Sequence, residues 1–242
     1  MKKSLLFCLA VATCVSPMMA ETKTPTIYPN ASFQHISANG RFIVSELYGT
    51  VTIYDLFEDT SEIFDPGEYF ENEYSLGLGN CITADGSVIL GGTNSLDAAY
   101  LENGEWVQLN VPDSNKTNLC NGITADGSRI CGSVGLNNMT TDDVIMQVPA
   151  YWNRNANGDG YGECHVLPYP TKDFFGGKPQ YVTAVSISND GKTIVGQVQF
   201  SSGFMAAPIV YKEDADGNWS YSSPTKYLFN PNEITAVENP GE

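Results

Sequence analysis

The sequence predicts an all-β protein built from repeated four-stranded units. Three observations predict it: a turn-and-strand motif that recurs four times, an aromatic strand that follows each copy, and a composition suited to turns. Of the 242 residues, 23 are Gly and 13 are Pro, and 11% are aromatic. Such a balance suits short strands joined by tight turns.

The motif begins with Ile and Ser or Thr, and reaches Asn-Gly or Asp-Gly before an apolar run. Its copies start at Ile36, Ile82, Ile123 and Ile187, and their turn glycines are Gly40, Gly86, Gly127 and Gly191. The spacing of these glycines is 46, 41 and 64 residues. Asn-Gly or Asp-Gly between apolar runs signals a hairpin, and a two-residue type I′ turn would place both residues at positive φ. The run that follows, such as Val88-Ile89-Leu90, has no polar alternation, as in a strand covered on both faces. Glycines after it (Gly91, Gly132 and Gly196) predict close backbone approach or a bulge.

Downstream of each copy lies a second strand: Val51–Tyr54, Ala98–Leu101, Pro149–Trp152 and Pro208–Tyr211. A polar turn then precedes a last strand, as in Glu102-Asn103-Gly104 before Trp106–Leu109. Two hairpins per unit of roughly 40–50 residues match the blade of a β-propeller. The units fall near residues 32–75, 76–118, 119–180 and 181–229, and form a β-propeller or part of one.

The repeat resembles the HAF family of extracellular repeats, through the Asp-Gly turn and strand and the later aromatic strand. The match covers most of residues 32–223 and is clearest in units two to four; Ser45 replaces the glycine in unit one. Ala98-Ala99-Tyr100 and Pro149-Ala150-Tyr151-Trp152 stand nearest to the name-giving His-Ala-Phe, which is absent. The resemblance implies an exported propeller-like architecture and no reaction.

The N-terminus carries the address. Lys2 and Lys3, a short apolar run from Ser4 to Val15, and Ala20 before Glu21 form a secretory signal peptide over residues 1–20. The run is too short to span a bilayer, and no other apolar stretch is long enough to be transmembrane. Cleavage takes the formal charge from −16 to −18. A chain this acidic repels phosphate backbones, which argues against nucleic acid as a partner. Residues 21–31 read as a lead-in, and residues 230–242 as a linker or tail before a further domain. Ile234–Asn239 resembles junctions before C-terminal secretion or anchoring domains in exported Bacteroidota proteins.

Chemistry is sparse. The two histidines, His35 and His165, form no nucleophilic triad in sequence, and His165 lies beside Cys164 on a strand, where neighbours point to opposite faces. Cys81, Cys120, Cys131 and Cys164 remain after cleavage, compatible with two disulfides or with buried thiols. Aromatic residues in the expanded loops are the candidate ligand contacts: Phe57, Tyr69, Phe70 and Tyr74, and Phe174 and Phe175. Acids lie among the first group (Glu58, Asp59, Glu62, Asp65, Glu68, Glu71 and Glu73), as a two-carboxylate glycosidase would need. Alternating oxygens before glycine, at Asn155, Asn157 and Asp159 and at Asp214 and Asp216, resemble part of a calcium loop. Both sets fall where a hairpin turn is already expected, and calcium is the one cofactor for which the sequence offers a place. The expected function is a non-enzymatic binding or scaffold module for an extracellular glycan, envelope component or protein. A carbohydrate-active enzyme is the alternative.

Overall fold

The computed structural model describes residues 33–47, 50–64, 74–76, 79–93, 98–113, 117–135, 145–171, 179–200 and 206–223. Sixteen strands and no helix occur among them. They form four antiparallel four-stranded sheets, each contiguous in the chain. The first holds β1 (Phe33–Ile36), β2 (Phe42–Leu47), β3 (Thr50–Asp55) and β4 (Thr60–Phe64). The second holds β5 (Tyr74–Leu76), β6 (Val88–Thr93), β7 (Ala98–Glu102) and β8 (Glu105–Gln108). β9 (Leu119–Ile123), β10 (Arg129–Val134), β11 (Val148–Asn153) and β12 (His165–Val166) make the third. β13 (Pro179–Ile187), β14 (Thr193–Phe200), β15 (Ala206–Glu213) and β16 (Trp219–Ser222) make the fourth. The fold is all-β, with sheets packed as successive blades of a β-propeller or part of one.

The repeated motif is the turn between the first two strands of each blade. Ser37, Thr83, Thr124 and Ser188 donate a hydroxyl to Asn39, Asp85, Asp126 and Asp190, at 2.5–2.8 Å. That acceptor oxygen also takes the backbone N–H of Arg41, Ser87, Ser128 or Lys192, at 2.9–3.1 Å. The hydroxyl oxygen in turn accepts the N–H of Phe42, Val88, Arg129 or Thr193, at 2.9–3.1 Å. The Ser or Thr is therefore a structural part of the turn, which closes the backbone with two short side chains.

This geometry corrects the expected type I′ turn. Only the glycine has positive φ, between 71° and 77° in the four copies. Asn39, Asp85, Asp126 and Asp190 keep negative φ because their side chains fold back onto the backbone. Both central residues have positive φ at Asn103 and Gly104, in the two-residue turn between β7 and β8.

Close approach after the motif strand is real. A methyl group at Gly132 would run into the Leu119 carbonyl, and one at Gly196 into the Thr183 carbonyl. Pairing in both sheets shifts register nearby, between Cys131 and Gly132 and between Ala184 and Ser186.

The core lies between blades. Ile82, Ile89, Leu90, Ile123, Ile130 and Trp152 belong to one cluster that joins the first three sheets. Cys131, Leu167, Ile194, Ile209 and Tyr211 belong to another between the third and fourth. Neighbouring blades are stitched by polar bonds: Ala84 N–H to Ala125 O at 2.7 Å between motif turns, and the buried Asn121 amide to Ala184 O at 2.8 Å between inner strands. In the middle blades the central strands are buried on both faces. In the fourth, β15 alternates buried and exposed residues, and Val195 on β14 is exposed.

All four described cysteines are free thiols, so neither disulfide is formed. Cys120 points its thiol at the Gly91 and Ala99 carbonyls, and burial pushes its pKa up to about 12. It is an inert core thiol. No described helix is long and apolar enough to cross a membrane.

Candidate functional site

Blade junctions repeat, so their contents can be compared position by position. Five residues after the turn Asn or Asp stand Val44, Leu90, Cys131 and Val195, paired with Ile53, Tyr100, Tyr151 and Val210 on the third strand. That third-strand residue helps line the junction with the following blade.

Between the first and second blades the position holds Ile53. A groove of about 320 Å³ opens there, lined by Ile53, Glu62, Ser87, Leu101, Asn103 and neighbouring residues. Arg41 stays within the first blade, pairing with Asp55 at 2.6 Å. Its hydrogen bonds hold the Asp55 carboxyl down at about 2.

Between the second and third blades the position holds Tyr100, and the junction is filled. Tyr161 leans edge-on against Tyr100 at 5.0 Å and donates its hydroxyl to Gly127 O at 2.7 Å. Arg154 lies 5.1 Å from the Tyr161 ring centre and pairs with Glu102 at 2.5 Å. Burial pushes the Tyr161 phenol up to about 12. Tyr100 is left only 3% exposed.

Between the third and fourth blades the position holds Tyr151, and the junction stays open. A groove of about 640 Å³ is lined by Tyr151, Cys164, His165, Leu167, Asn218 and Trp219, with neighbouring residues. His165 sits opposite Tyr151 in the β11–β12 pair, and the rings stack at 5.0 Å and 22°. Trp219 tilts against Tyr151 at 5.5 Å. Arg129 fixes this set, 5.0 Å from the Tyr151 ring centre and 5.5 Å from that of Trp219. It is itself held by Asn153 at 2.7 Å, Gly191 O at 2.8 Å and Glu213 at 2.9 Å. Trp219 Nε1 is buried with no hydrogen-bond partner among the described residues. The Tyr151 hydroxyl and the His165 ring nitrogens likewise make no hydrogen bond among them.

Of the residues expected as ligand contacts, Phe57 and Tyr74 are described, and neither lines this groove. Phe57 is exposed on the β3–β4 turn, 5.7 Å from the Arg41 guanidinium. Tyr74 opens β5. Tyr69, Phe70, Phe174 and Phe175 lie outside the described residues, as do Asp65, Glu68, Glu71 and Glu73, the signal peptide and the tail. The 57–74 stretch is in part a strand: Glu62 belongs to β4, beside the turn that carries Glu58 and Asp59.

The calcium candidates are engaged in turns. Asn155 donates to Asp159 O at 2.5 Å, and Asn157 accepts the Asp159 N–H at 3.1 Å. Asp214 accepts the N–H groups of Asp216 and Asn218, at 2.9 and 2.8 Å, and these hold its carboxyl below the usual range. Sequence reasoning missed the groove itself. It is assembled from a motif tyrosine, an outer-strand histidine and a tryptophan of the next blade.

No family model and no curated protein matches the sequence. Among solved structures, the chain is similar to a TolB-like protein from Agrobacterium tumefaciens, at 10% identity over 80% of each chain and a TM-score of 0.39. It is similar to the N-terminal domain of Nup159 at 15% identity and a TM-score of 0.43, covering 83% of this chain and 51% of that one. A chain of the mitotic checkpoint complex aligns at 10% identity and a TM-score of 0.39, over 71% of this chain and 47% of its own length.

Proposed function

We propose that this protein is an exported, non-enzymatic binding or scaffold module of the HAF-repeat type, whose blades present the groove between the third and fourth sheets to an extracellular ligand. One observation supports the reading above the others. Equivalent junctions can be filled, as Tyr161 and Arg154 fill the second, yet this one keeps about 640 Å³ open beside the rings of Tyr151, His165 and Trp219. Open, preorganised clefts with a few polar groups are the usual form of a ligand site.

Binding of soluble cell-envelope polysaccharide and of envelope protein fractions to residues 21–242, with and without calcium, tests this. The expected result is saturable binding that weakens on His165→Ala. N-terminal sequencing of the exported chain should begin at Glu21. Polysaccharide turnover abolished by Glu58→Gln or Glu62→Gln would replace this reading with the enzymatic one.

A further inference from the structure

Resting on that reading, we infer that the groove between the third and fourth blades takes a neutral carbohydrate chain. Three features of the groove select this class.

Its charges are already matched. Arg129 touches the groove only through the Tyr151 and Trp219 rings, and it is neutralised by Glu213 at 2.9 Å and engaged by Asn153 and Gly191 O. Neither Lys nor Arg lines the groove, and the net charge of −16 repels an anion.

The aromatic set is built as a rigid shelf. His165 is exposed and stacked on Tyr151, and Trp219 is half-buried against the same ring. Arg129 clamps Tyr151 and Trp219 from within the junction, so little side-chain freedom is lost when a ligand arrives. Flat apolar faces of this kind suit the C–H face of a sugar ring.

The unused polar atoms lie in the planes of those rings. A tyrosine hydroxyl both donates and accepts, and an imidazole offers two ring nitrogens. A sugar hydroxyl both donates and accepts, so a row of them satisfies Tyr151 and His165, while Trp219, its Nε1 buried, offers only its ring. A proline-rich segment also docks in aromatic grooves, but it offers carbonyl acceptors and few donors. It would leave the acceptor nitrogen of His165 and the acceptor capacity of Tyr151 unmet.

The test is a titration of residues 21–242 with neutral hexasaccharides (glucan, xylan and mannan series), an oligogalacturonate and a proline-rich decapeptide. Calorimetry and tryptophan fluorescence are the readouts. At least one neutral hexasaccharide should bind and perturb Trp219 emission. His165→Ala should weaken it about tenfold, equivalent to ~1.4 kcal/mol, and Tyr151→Phe should weaken it less, with the far-ultraviolet spectrum and Tm of both variants unchanged. Oligogalacturonate should fail to bind. Neutral binding that His165→Ala and Tyr151→Phe leave unaltered overturns the inference. Decapeptide binding that falls with His165→Ala also overturns it, while leaving the binding-module reading intact. Failure of all three probes and of the envelope fractions overturns both.

Discussion

The second and third junctions are built from the same parts with the charges exchanged. Between the second and third blades the carboxylate (Glu102) comes from the preceding blade and the arginine (Arg154) from the following one. Between the third and fourth, Arg129 precedes and Glu213 follows. Each junction leans an aromatic of the later blade on a third-strand tyrosine of the earlier one. The outcomes differ because the β11–β12 connection carries Tyr161 back over Tyr100, whereas the β15–β16 turn closes on itself through Asp214 and Asn218. The repeated backbone sets where junctions occur, and the turn after the third strand decides whether one is filled or open.

The filled junction should break hardest at its base. Trp152 is fully buried and donates Nε1 to Asn110 O at 2.8 Å. Trp152→Ala removes both the packing and a bond, and should cost about 3–5 kcal/mol in urea unfolding. A loss well under that range would mean that the second and third blades do not share one core.

Acid loosens the carboxylate turns of the last three blades, where the first has Asn39, together with the Arg41–Asp55 pair of the first. Hydrogen bonds from Arg41 hold Asp55 at about 2, against an ordinary 3.8. The Ser188 hydroxyl and the Lys192 N–H hold Asp190 below its ordinary range. At Asp85 and Asp126 burial opposes ionisation, but hydrogen bonds from Ser87, Ser128 and the Thr hydroxyls outweigh it. A lowered folded-state pKa gives stability that is present above the unfolded value and disappears as pH falls through the folded one. Tm should therefore hold down to about pH 5 and fall steadily toward pH 2. A Tm that is flat across that interval would show that the repeat turns do not depend on their carboxylates.

Double-mutant cycles sharpen the comparison between junctions. Both bridges are largely shielded, with side-chain exposures of 24% and 17% for Arg154 and Glu102, and 17% and 13% for Arg129 and Glu213. Each pair should show a coupling of about 1 kcal/mol, at the upper end for pairs near a surface. Combining Arg154→Met with Glu213→Gln should show none, since the two changes sit at different junctions. Coupling near zero within both true pairs would remove the bridges from the account.

The sequence made the repeat legible because turn chemistry is local. Ser or Thr, Asn or Asp, and Gly all act within six residues, and all four copies form the same network. Even there the turn type differs from type I′, because an Asx side chain that bonds its own backbone does not need positive φ. The junctions were illegible because their partners are remote in sequence: Arg129 meets Glu213 across 84 residues, and Arg154 meets Glu102 across 52. Aromatic content points to Phe57–Tyr74 and to Phe174 and Phe175, while Tyr151 reads only as part of the repeated aromatic strand and His165 as the strand neighbour of Cys164. One signal was available. An aromatic follows the third-strand turn in three units, as Trp106, Tyr161 and Trp219, and the last two lean on the preceding blade.

The smallest predicted effect has the opposite sign. Tyr211 occupies the place in the third junction that Trp152 holds in the second, one residue beyond Val210 and Tyr151 respectively, and it too is fully buried. Trp152 has Asn110 O for its N–H, whereas the Tyr211 hydroxyl has no partner among the described residues, and burial pushes its pKa up. A buried hydroxyl without a partner costs about 1–3 kcal/mol of desolvation that nothing in the folded state returns. Tyr211→Phe should therefore raise stability, by about 1 kcal/mol or ~2–4 °C in Tm. Trp152→Phe should lower it, since that change deletes a satisfied donor and leaves a void. If Tyr211→Phe instead destabilises, its hydroxyl is bonded in solution, and the third junction is tied by one more polar contact than its geometry provides.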